Sequence, residues 1–233
     1  MKAYALIVAG GTGTRFGADR PKQYLPLGDG EVLSFSYAAF SACEEISGIV
    51  IVAQDIWHNH VRALCDKCGS EKLLCIAQAG DDRRASVRNG LHIFEQLGLG
   101  KDSVVLVHDA ARPFLTKEVI MENIASASEF GACCTVVPAT DTPIVSADGK
   151  TIDQMPPRST MYMSQTPQSF SMELLIRAHD TVPTDAPDVT DDCSLVRAIG
   201  HSVRLVMGTQ QLFKITRAQD MIMAQNILED YYG

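Results

Sequence analysis

Hydrophobic positions along the chain follow two spacings that alternate. Short, mainly β-branched apolar runs predict buried strands at residues 4–9, 49–53, 73–77, 104–107, 133–137 and 203–206. Elsewhere apolar residues return every three or four positions, which predicts helices at residues 87–97, 117–130, 172–182, 191–199 and 217–230. Thr116 is a typical N-cap for the second of these helices, and Gly131 is a typical stop. Alternating strands and helices predict an α/β fold, a three-layer, mostly parallel, doubly wound sheet with helices on both faces.

The alternation stops between residues 141 and 165. Prolines interrupt this segment, and Asp148-Gly149 separates two short extended pieces at 142–146 and 151–154. Asp-Gly between extended runs predicts a β-hairpin. Because such a hairpin has few large apolar residues, we expect an inserted arm that packs on a second subunit. We expect one domain that spans residues 1–233 and carries residues 141–165 as this arm. The alternative for residues 141–165 is a simple surface excursion.

Composition limits the class of protein. The chain has 233 residues, of which 46% are hydrophobic and 21% charged, and this suits one folded domain. The net charge of −8 argues against nucleic acid and against an anionic membrane as partners. No apolar run is long enough to span a bilayer, and the run near the N-terminus is too short for a signal peptide.

Seven cysteines are scattered along the chain, apart from an adjacent pair and one C-x-x-C formed by Cys65 and Cys68. A structural zinc site needs four ligands, and no second pair stands at a suitable spacing. A zinc site and a redox pair therefore remain minor alternatives to plain thiols. Free thiols predict a reducing, cytoplasmic location.

The first predicted strand leads into a glycine-rich loop, in which residues 9–17 read Ala-Gly-Gly-Thr-Gly-Thr-Arg-Phe-Gly. Glycines let backbone N–H groups approach phosphates closely. The loop lacks the Gly-Lys-Ser/Thr of a P-loop, and Phe16 stands where a dinucleotide fingerprint needs its third glycine. Arg15, Arg20 and Lys22 follow, which suits a nucleoside triphosphate. A solvated charge run is the alternative for Arg20 and Lys22, but the prolines around Lys22 favour a fixed position.

This loop resembles the G-G-x-G-T-R…P-K signature of sugar-nucleotide and related nucleotidyltransferases. With Pro21-Lys22-Gln23-Tyr24 the resemblance narrows to the 2-C-methyl-D-erythritol 4-phosphate cytidylyltransferases and their close relatives, the ribitol-5-phosphate cytidylyltransferases. Further similar segments are 79–87 (G-G-x-x-R-x-x-S-V), 108–113 (H-D-A-A-R-P), 139–142 (A-x-D-T), 157–158 (P-R), 165–168 (Q-T-P-Q), 190–192 (T-D-D) and 213–216 (I-K-I-T, with Phe213 for the first Ile). The resemblance covers nearly the whole chain and implies a Rossmann-like nucleotidyltransferase fold.

The resemblance also implies roles for individual residues. The implied catalytic residues are Arg15, Lys22, Arg158 and Lys214. The implied CTP-binding residues are Ala9, Gly10, Gly11, Thr12, Gly13, Gly80, Asp81, Asp82, Arg83, Ser86, Asp109 and Ala110. The implied acceptor-binding residues are Arg112, Thr142 and Thr166.

Three of these segments also have plain structural interpretations. Residues 81–86 could be an ordinary charged helix N-terminus, Asp109 a structural cap, and 190–192 a helix cap. The direct metal ligands stay open, with Asp109 as one candidate. Mg²⁺ is expected as the cofactor, bound mainly through the CTP phosphates.

The implied reaction is attack by a phosphate oxygen of a polyol phosphate on the α-phosphorus of CTP, with release of pyrophosphate. It needs charge relief and alignment of two anions, and no general base. Ala110-Ala111 favours methylerythritol phosphate, in isoprenoid precursor biosynthesis by the non-mevalonate route. Met161-Tyr162 and residues 165–170 also resemble the ribitol enzyme, which makes CDP-ribitol for cell-wall polymers. A homodimer through the arm is expected.

Two other classes of function stay open. A nicotinamide-dependent oxidoreductase uses a similar layered fold, but the glycine fingerprint fails. A non-catalytic nucleotide-binding dimer could keep the loop, but the presence of both Arg15 and Lys22 argues against it.

Overall fold

The computed structural model describes residues 1–11, 20–100, 102–187 and 189–232. The strands within these ranges are β1 (Lys2–Val8), β2 (Pro26–Leu27), β3 (Gly30–Glu31), β4 (Ile46–Ala53), β5 (Leu73–Gln78), β6 (Ser103–Asp109), β7 (Ala132–Pro138), β8 (Tyr162–Ser171) and β9 (Arg204–Met207). The α-helices are α1 (Val32–Ala42), α2 (His58–Cys68), α3 (Arg83–Gln96), α4 (Lys117–Phe130), α5 (Met172–Thr181), α6 (Asp192–Ala198) and α7 (Ala218–Tyr232). Short 3₁₀ turns cover Lys22–Tyr24, Asp55–Trp57 and Arg158–Thr160. No helix in the described ranges is long and apolar enough to cross a membrane.

Seven strands form one sheet in the order β5-β4-β1-β6-β8-β7-β9. Neighbouring strands run parallel except at β8, which is antiparallel to both β6 and β7. The predicted mostly parallel α/β sheet is therefore confirmed. Strand β8, a central strand, was not predicted, because its buried positions include the polar residues Gln165, Thr166, Gln168 and Ser169. An apolar run or an alternating pattern is therefore absent there.

Side chains of successive strand residues enter two separate cores, one on each face of the sheet. In β1, Ala5 and Ile7 belong to the core beneath α1, α2 and α4. Tyr4 and Leu6 belong to the core beneath α3, α5 and α6. This alternation is what a strand buried on both faces requires, and it confirms the three-layer arrangement.

Helix α3 lies very close to the sheet at Gly90. A Cβ atom at this position would stand 2.2 Å from Leu6 Cδ1 and 3.0 Å from Val52 Cγ2. We expect Gly90→Ala to lower the free energy of unfolding by about 1–3 kcal/mol, because overpacking outweighs the better helix propensity of alanine. Denaturant unfolding measures this change. Gly100→Ala is the control, since nothing lies within 4 Å of its Cβ, and equal stability of the two variants would contradict the packing argument.

The arm differs from a regular hairpin. A single antiparallel bridge joins Val145 to Gln154, and the Asp148 carboxylate organises the turn by accepting from the N–H groups of Lys150 and Thr151 at 2.7 and 2.8 Å. The flanking prolines explain why pairing stops after one bridge, since proline offers no N–H for a ladder. Residues 162–165, predicted as the end of the arm, lie instead in β8.

A small third core fixes the C-terminal part of the chain. Helix α7 packs Ala224 and Leu228 against Leu27 and Val32 near the β2–β3 ribbon, and Ile215 is buried in the same cluster. The N–H of Ile215 also donates to the carbonyl of Ala111 at 2.8 Å. These contacts hold the segment before α7 against the end of β6.

Candidate active site

Two predicted motifs meet where the neighbouring strands β1 and β6 end. Val8 of β1 pairs with Asp109 of β6, and the N–H of Ala110 donates to the Val8 carbonyl at 3.1 Å. Ala9 and Gly10 therefore leave the sheet beside Asp109. Ligands of open α/β sheets bind at this carboxyl edge.

Two glutamine side chains bind the backbone carbonyls at the start of the glycine loop. Gln23 Nε2 donates to the carbonyls of Ala9 at 2.6 Å and Gly11 at 2.8 Å, and Gln54 Nε2 donates to that of Gly10 at 3.3 Å. No role was predicted for either glutamine, although Gln23 belongs to the motif Pro21-Lys22-Gln23-Tyr24. Thr12, Gly13 and Arg15 lie outside the described residues.

An aromatic pair anchors the segment that carries Lys22. Lys22 begins a 3₁₀ turn that ends at Tyr24, whose buried ring stacks on Trp57 with ring centroids 4.5 Å apart. The Arg20 guanidinium lies 5.6 Å from the centre of the Trp57 ring, within the range of a cation–π contact. Side chains before and after Lys22, those of Arg20 and Tyr24, thus contact the same tryptophan.

Asp109 is the centre of a cationic cluster. Its Oδ2 lies 2.8 Å from Lys214 Nζ and 3.7 Å from Arg112 Nε, and its Oδ1 lies 3.2 Å from Arg83 Nε. Burial alone would raise the pKa of Asp109, but Arg83, Lys214 and Arg112 outweigh it and hold that pKa well below its usual range. The carboxylate is therefore charged at neutral pH and faces three cations.

A chain of buried hydrogen bonds orients Asp109. The Thr166 hydroxyl accepts from the Asp109 N–H at 3.0 Å and lies 3.1 Å from His108 Nδ1. Burial lowers the pKa of His108 to about 4, so the ring is neutral. Thr166 then donates to Nδ1, and Nε2–H donates to the Arg112 carbonyl at 3.1 Å. Thr166, a predicted acceptor-binding residue, is 4% exposed and orients the Asp109 backbone.

The segment at residues 80–86 forms a closed turn before α3. The Gly80 N–H donates to Ser86 Oγ at 3.1 Å, and Asp82 caps α3 by accepting from the Ala85 N–H at 2.7 Å. A Cβ atom on Gly80 would lie 2.4 Å from that of Ala85. A Cβ atom on Gly10 would lie 2.6 Å from that of Ala79, so this turn and the first loop touch. The helix-cap interpretation thus applies to Asp82, while exposed Asp81 is left available.

Two predicted site residues lie apart from this cluster, on the arm. Arg158 is exposed and donates from Nη1 to the Thr140 carbonyl at 3.1 Å, and Thr142 is exposed as well. The structure therefore brings Arg83, Arg112 and Lys214 together around Asp109, whose N–H is bound by Thr166. Arg158 and Thr142 make no hydrogen bond or ion pair with these residues, although β7, which leads into the arm, ends at the same edge of the sheet as β6.

The C-x-x-C pair lies on one helix, α2. Cys65 is buried, and burial raises its pKa to about 12, so it is a neutral thiol at neutral pH. Cys68 is exposed. A reactive redox cysteine must be a thiolate, which disfavours a redox role for this pair.

The family model for 2-C-methyl-D-erythritol 4-phosphate cytidylyltransferase, IspD, matches residues 3–230. The chain belongs to this family. A family protein of that name from Alkaliphilus oremlandii (strain OhILAs) is 34% identical over 229 residues, which cover 98% of this chain and 95% of that protein. Membership makes the chain a nucleotidyltransferase, and the oxidoreductase interpretation is set aside.

Solved structures agree with the family assignment. The 4-diphosphocytidyl-2C-methyl-D-erythritol synthase of Anaerococcus prevotii DSM 20548 superposes with a TM-score of 0.85 at 26% identity, covering 98% of this chain and 96% of that one. The family enzyme of Thermus thermophilus gives a TM-score of 0.76 at 29% identity, covering 98% and 100%. The implied nucleotidyltransferase fold is confirmed.

Proposed function

We propose that this protein transfers CMP from CTP to 2-C-methyl-D-erythritol 4-phosphate and releases pyrophosphate, in the methylerythritol phosphate route to isoprenoid precursors. Family membership supplies the reaction class. The observation that carries the site assignment is the ionised Asp109 beside the glycine loop, because Arg83, Arg112 and Lys214 surround it. Because Arg83 also contacts Asp192, the cluster holds three cations and two carboxylates, which leaves one net positive charge for anionic substrates.

The reaction joins two anions that repel each other. An acceptor phosphate oxygen attacks the α-phosphorus of CTP, the bond from that phosphorus to the bridging oxygen of the β-phosphate breaks, and pyrophosphate leaves with the electron pair. The attacking phosphate is already ionised, so alignment and charge relief are the contributions the protein must make. We assign Lys22 and Arg15 to the triphosphate, and Lys214, Arg112 and Arg158 to the acceptor phosphate.

Magnesium is the cofactor we propose. Among the described residues no group of three or more His, Cys, Asp or Glu side chains comes together, and Mg²⁺ commonly binds through one carboxylate plus substrate phosphates. The ionised Asp109 fits as that carboxylate. When bound, the ion would neutralise charge on the triphosphate.

The acceptor is tested by comparing two polyol phosphates. The family model and the relatives carry the name of the methylerythritol phosphate enzyme, which favours this acceptor over ribitol 5-phosphate. Purified protein with CTP and Mg²⁺ should show a kcat/KM for 2-C-methyl-D-erythritol 4-phosphate at least about tenfold above that for D-ribitol 5-phosphate. The reverse order would transfer the assignment to the ribitol enzyme.

Nucleotide choice is a separate expectation. The turn from Gly80 to Ser86 is closed by its own hydrogen bond and touches the first loop through Gly10, so it has little room to adjust to a larger base. We expect kcat/KM for CTP to exceed that for ATP and GTP by about 10³ or more. UTP is the matched control, because it keeps the ring size and changes only the hydrogen-bonding edge. Equal use of purine triphosphates would contradict the pyrimidine assignment.

A homodimer through the arm completes the proposed enzyme. Four apolar side chains of the arm are 46–60% exposed, namely Ile144, Val145, Ile152 and Met155. Such a group on a segment without its own core suits burial against a second copy of the chain. The exposed Arg158 would then reach the acceptor phosphate through the contact between the two subunits.

We propose a cytoplasmic location. All seven cysteines are free thiols, and disulfides are favoured in oxidising compartments. A reducing compartment fits this cysteine usage.

A further inference from the structure

Two adjacent aspartates at the start of α6 have different partners. Asp191 is the N-cap, and its carboxylate accepts from the Ser194 N–H at 2.8 Å. Asp192 takes no part in the cap. Its side chain is 2% exposed, and its Oδ2 accepts from Arg83 Nη1 at 2.6 Å.

Arg83 joins Asp192 to the proposed active site. The same guanidinium that contacts Asp192 through Nη1 contacts Asp109 through Nε, at 3.2 Å. Burial alone would lower the pKa of Arg83, but Asp192 and Asp109 raise it above its usual range, so the bridge stays charged. One guanidinium thus links the starts of α6 and α3 to the end of β6.

His179, the other titratable neighbour of Asp192, does not form an ion pair with it. His179 Nε2 lies 3.9 Å from Asp192 Oδ1, and burial lowers the pKa of His179 to about 4. The ring is therefore neutral at pH 7, and Arg83 is the charged partner of Asp192.

Stability is a weak explanation for this buried pair. A buried ion pair often contributes no more to folding than apolar residues of the same volume. Its position beside Asp109 suggests a different use. If Asp192 did not hold it, the Arg83 guanidinium could rotate and donate two N–H groups to Asp109, which would form a bidentate ion pair. Asp109 would then be occupied when the nucleotide arrives.

We propose that Asp192 is a positioning residue for nucleotide binding, which holds Arg83 in a single contact with Asp109 and keeps that carboxylate available to CTP. This inference rests on the proposed assignment of Arg83 and Asp109 to the CTP site. It gives the second aspartate of the T-D-D segment a task in the reaction, exerted through Arg83.

The test compares two Asp→Asn variants. Asp192→Asn should raise the KM for CTP about tenfold, the effect of losing one charged hydrogen bond, with kcat and the acceptor KM within about threefold of wild type. Asp180→Asn is the matched control, because Asp180 pairs with Arg88 at 3.1 Å between α5 and α3 outside the cluster. It should leave all three constants unchanged. Circular dichroism checks that both variants fold.

A double variant separates positioning from a merely structural role. If Asp192 acts through Arg83, Asp192→Asn should add nothing to the CTP KM of Arg83→Gln. Additive effects, or a CTP KM within about twofold of wild type in Asp192→Asn, would overturn the proposal. Should Asp192→Asn fail to fold, Arg83→Lys replaces it, because a lysine cannot bridge the two carboxylates in this geometry. The same rise in the CTP KM is expected, and its absence overturns the proposal.

The outcomes also show whether the role of Asp192 fails alone or together with the assignment of Arg83 and Asp109 to the CTP site. A defect in Arg83→Gln with normal Asp192→Asn kinetics removes only the role of Asp192. Normal kinetics in both variants, and in the double variant, would instead remove the cluster from the active site.

Discussion

Lys22→Ala is expected to lower kcat about 10²–10³-fold, the usual cost of removing one well-aimed charge from a transition state. The reason is placement. Lys22 follows Pro21 and begins the turn that ends at Tyr24, which is stacked on Trp57. A side chain on so fixed a backbone suits charge that develops on the α-phosphate and the leaving pyrophosphate. Steady-state kinetics measure the change.

Binding must be measured beside turnover in this variant. Isothermal titration calorimetry gives the dissociation constant of CTP for each variant. The dissociation constant of CTP should change far less than kcat. Lys67→Ala, at an exposed position on α2, is the control. Turnover at near wild-type speed in Lys22→Ala would show that Lys22 is a solvated lysine.

Removal of the arm is expected to give monomers and to lower turnover at least about 10²–10³-fold, because Arg158 leaves with it. The base of the arm offers a clean junction, since the Ala139 N–H donates to the Met161 carbonyl at 2.9 Å. Residues 141–159 can therefore be replaced by a short glycine linker without disturbing β7 or β8. Sedimentation and steady-state kinetics follow both consequences. A fully active monomer would contradict the role of the arm.

The arginine on the arm permits a finer version of this test. Arg158→Lys keeps the charge and loses the planar fork that grips a phosphate through two N–H groups. The acceptor KM should rise while CTP binding stays almost unchanged. Arg177→Lys, on α5, is the control. A defect confined to CTP binding would remove Arg158 from the acceptor site.

Apolar runs and helix caps predicted most of the fold, because each depends only on residues that are close together along the chain. The apolar runs became β1, β4, β6 and β7 within a few residues. Thr116 caps α4 by accepting from the Val119 N–H at 3.4 Å, and Gly131 ends it with a φ of +82°. Strand β8 escaped prediction because several of its buried side chains are polar and find hydrogen-bond partners far along the chain, as Ser169 Oγ does by donating to Asn123 Oδ1 at 2.8 Å. Such partners become visible only in three dimensions.

The site was predicted as a set of motifs and not as a geometry. Asp109, Arg112 and Lys214 were each named from a motif, but the 2.8 Å contact between Lys214 and Asp109 joins distant parts of the chain. Asp192 was missed because a helix cap accounted for its motif. Only the structure assigns the cap to Asp191 and turns Asp192 toward Arg83.

The transfer of labelled phosphorus tests the central claim most directly. Wild-type protein is incubated with Mg²⁺, 2-C-methyl-D-erythritol 4-phosphate and CTP that is radiolabelled at either the α- or the γ-phosphate, and the products are separated. A cytidylyltransferase places the α-label in the CDP-linked polyol and the γ-label in pyrophosphate. A γ-label on the polyol, which indicates phosphoryl transfer, or the absence of label in any new product would contradict the account.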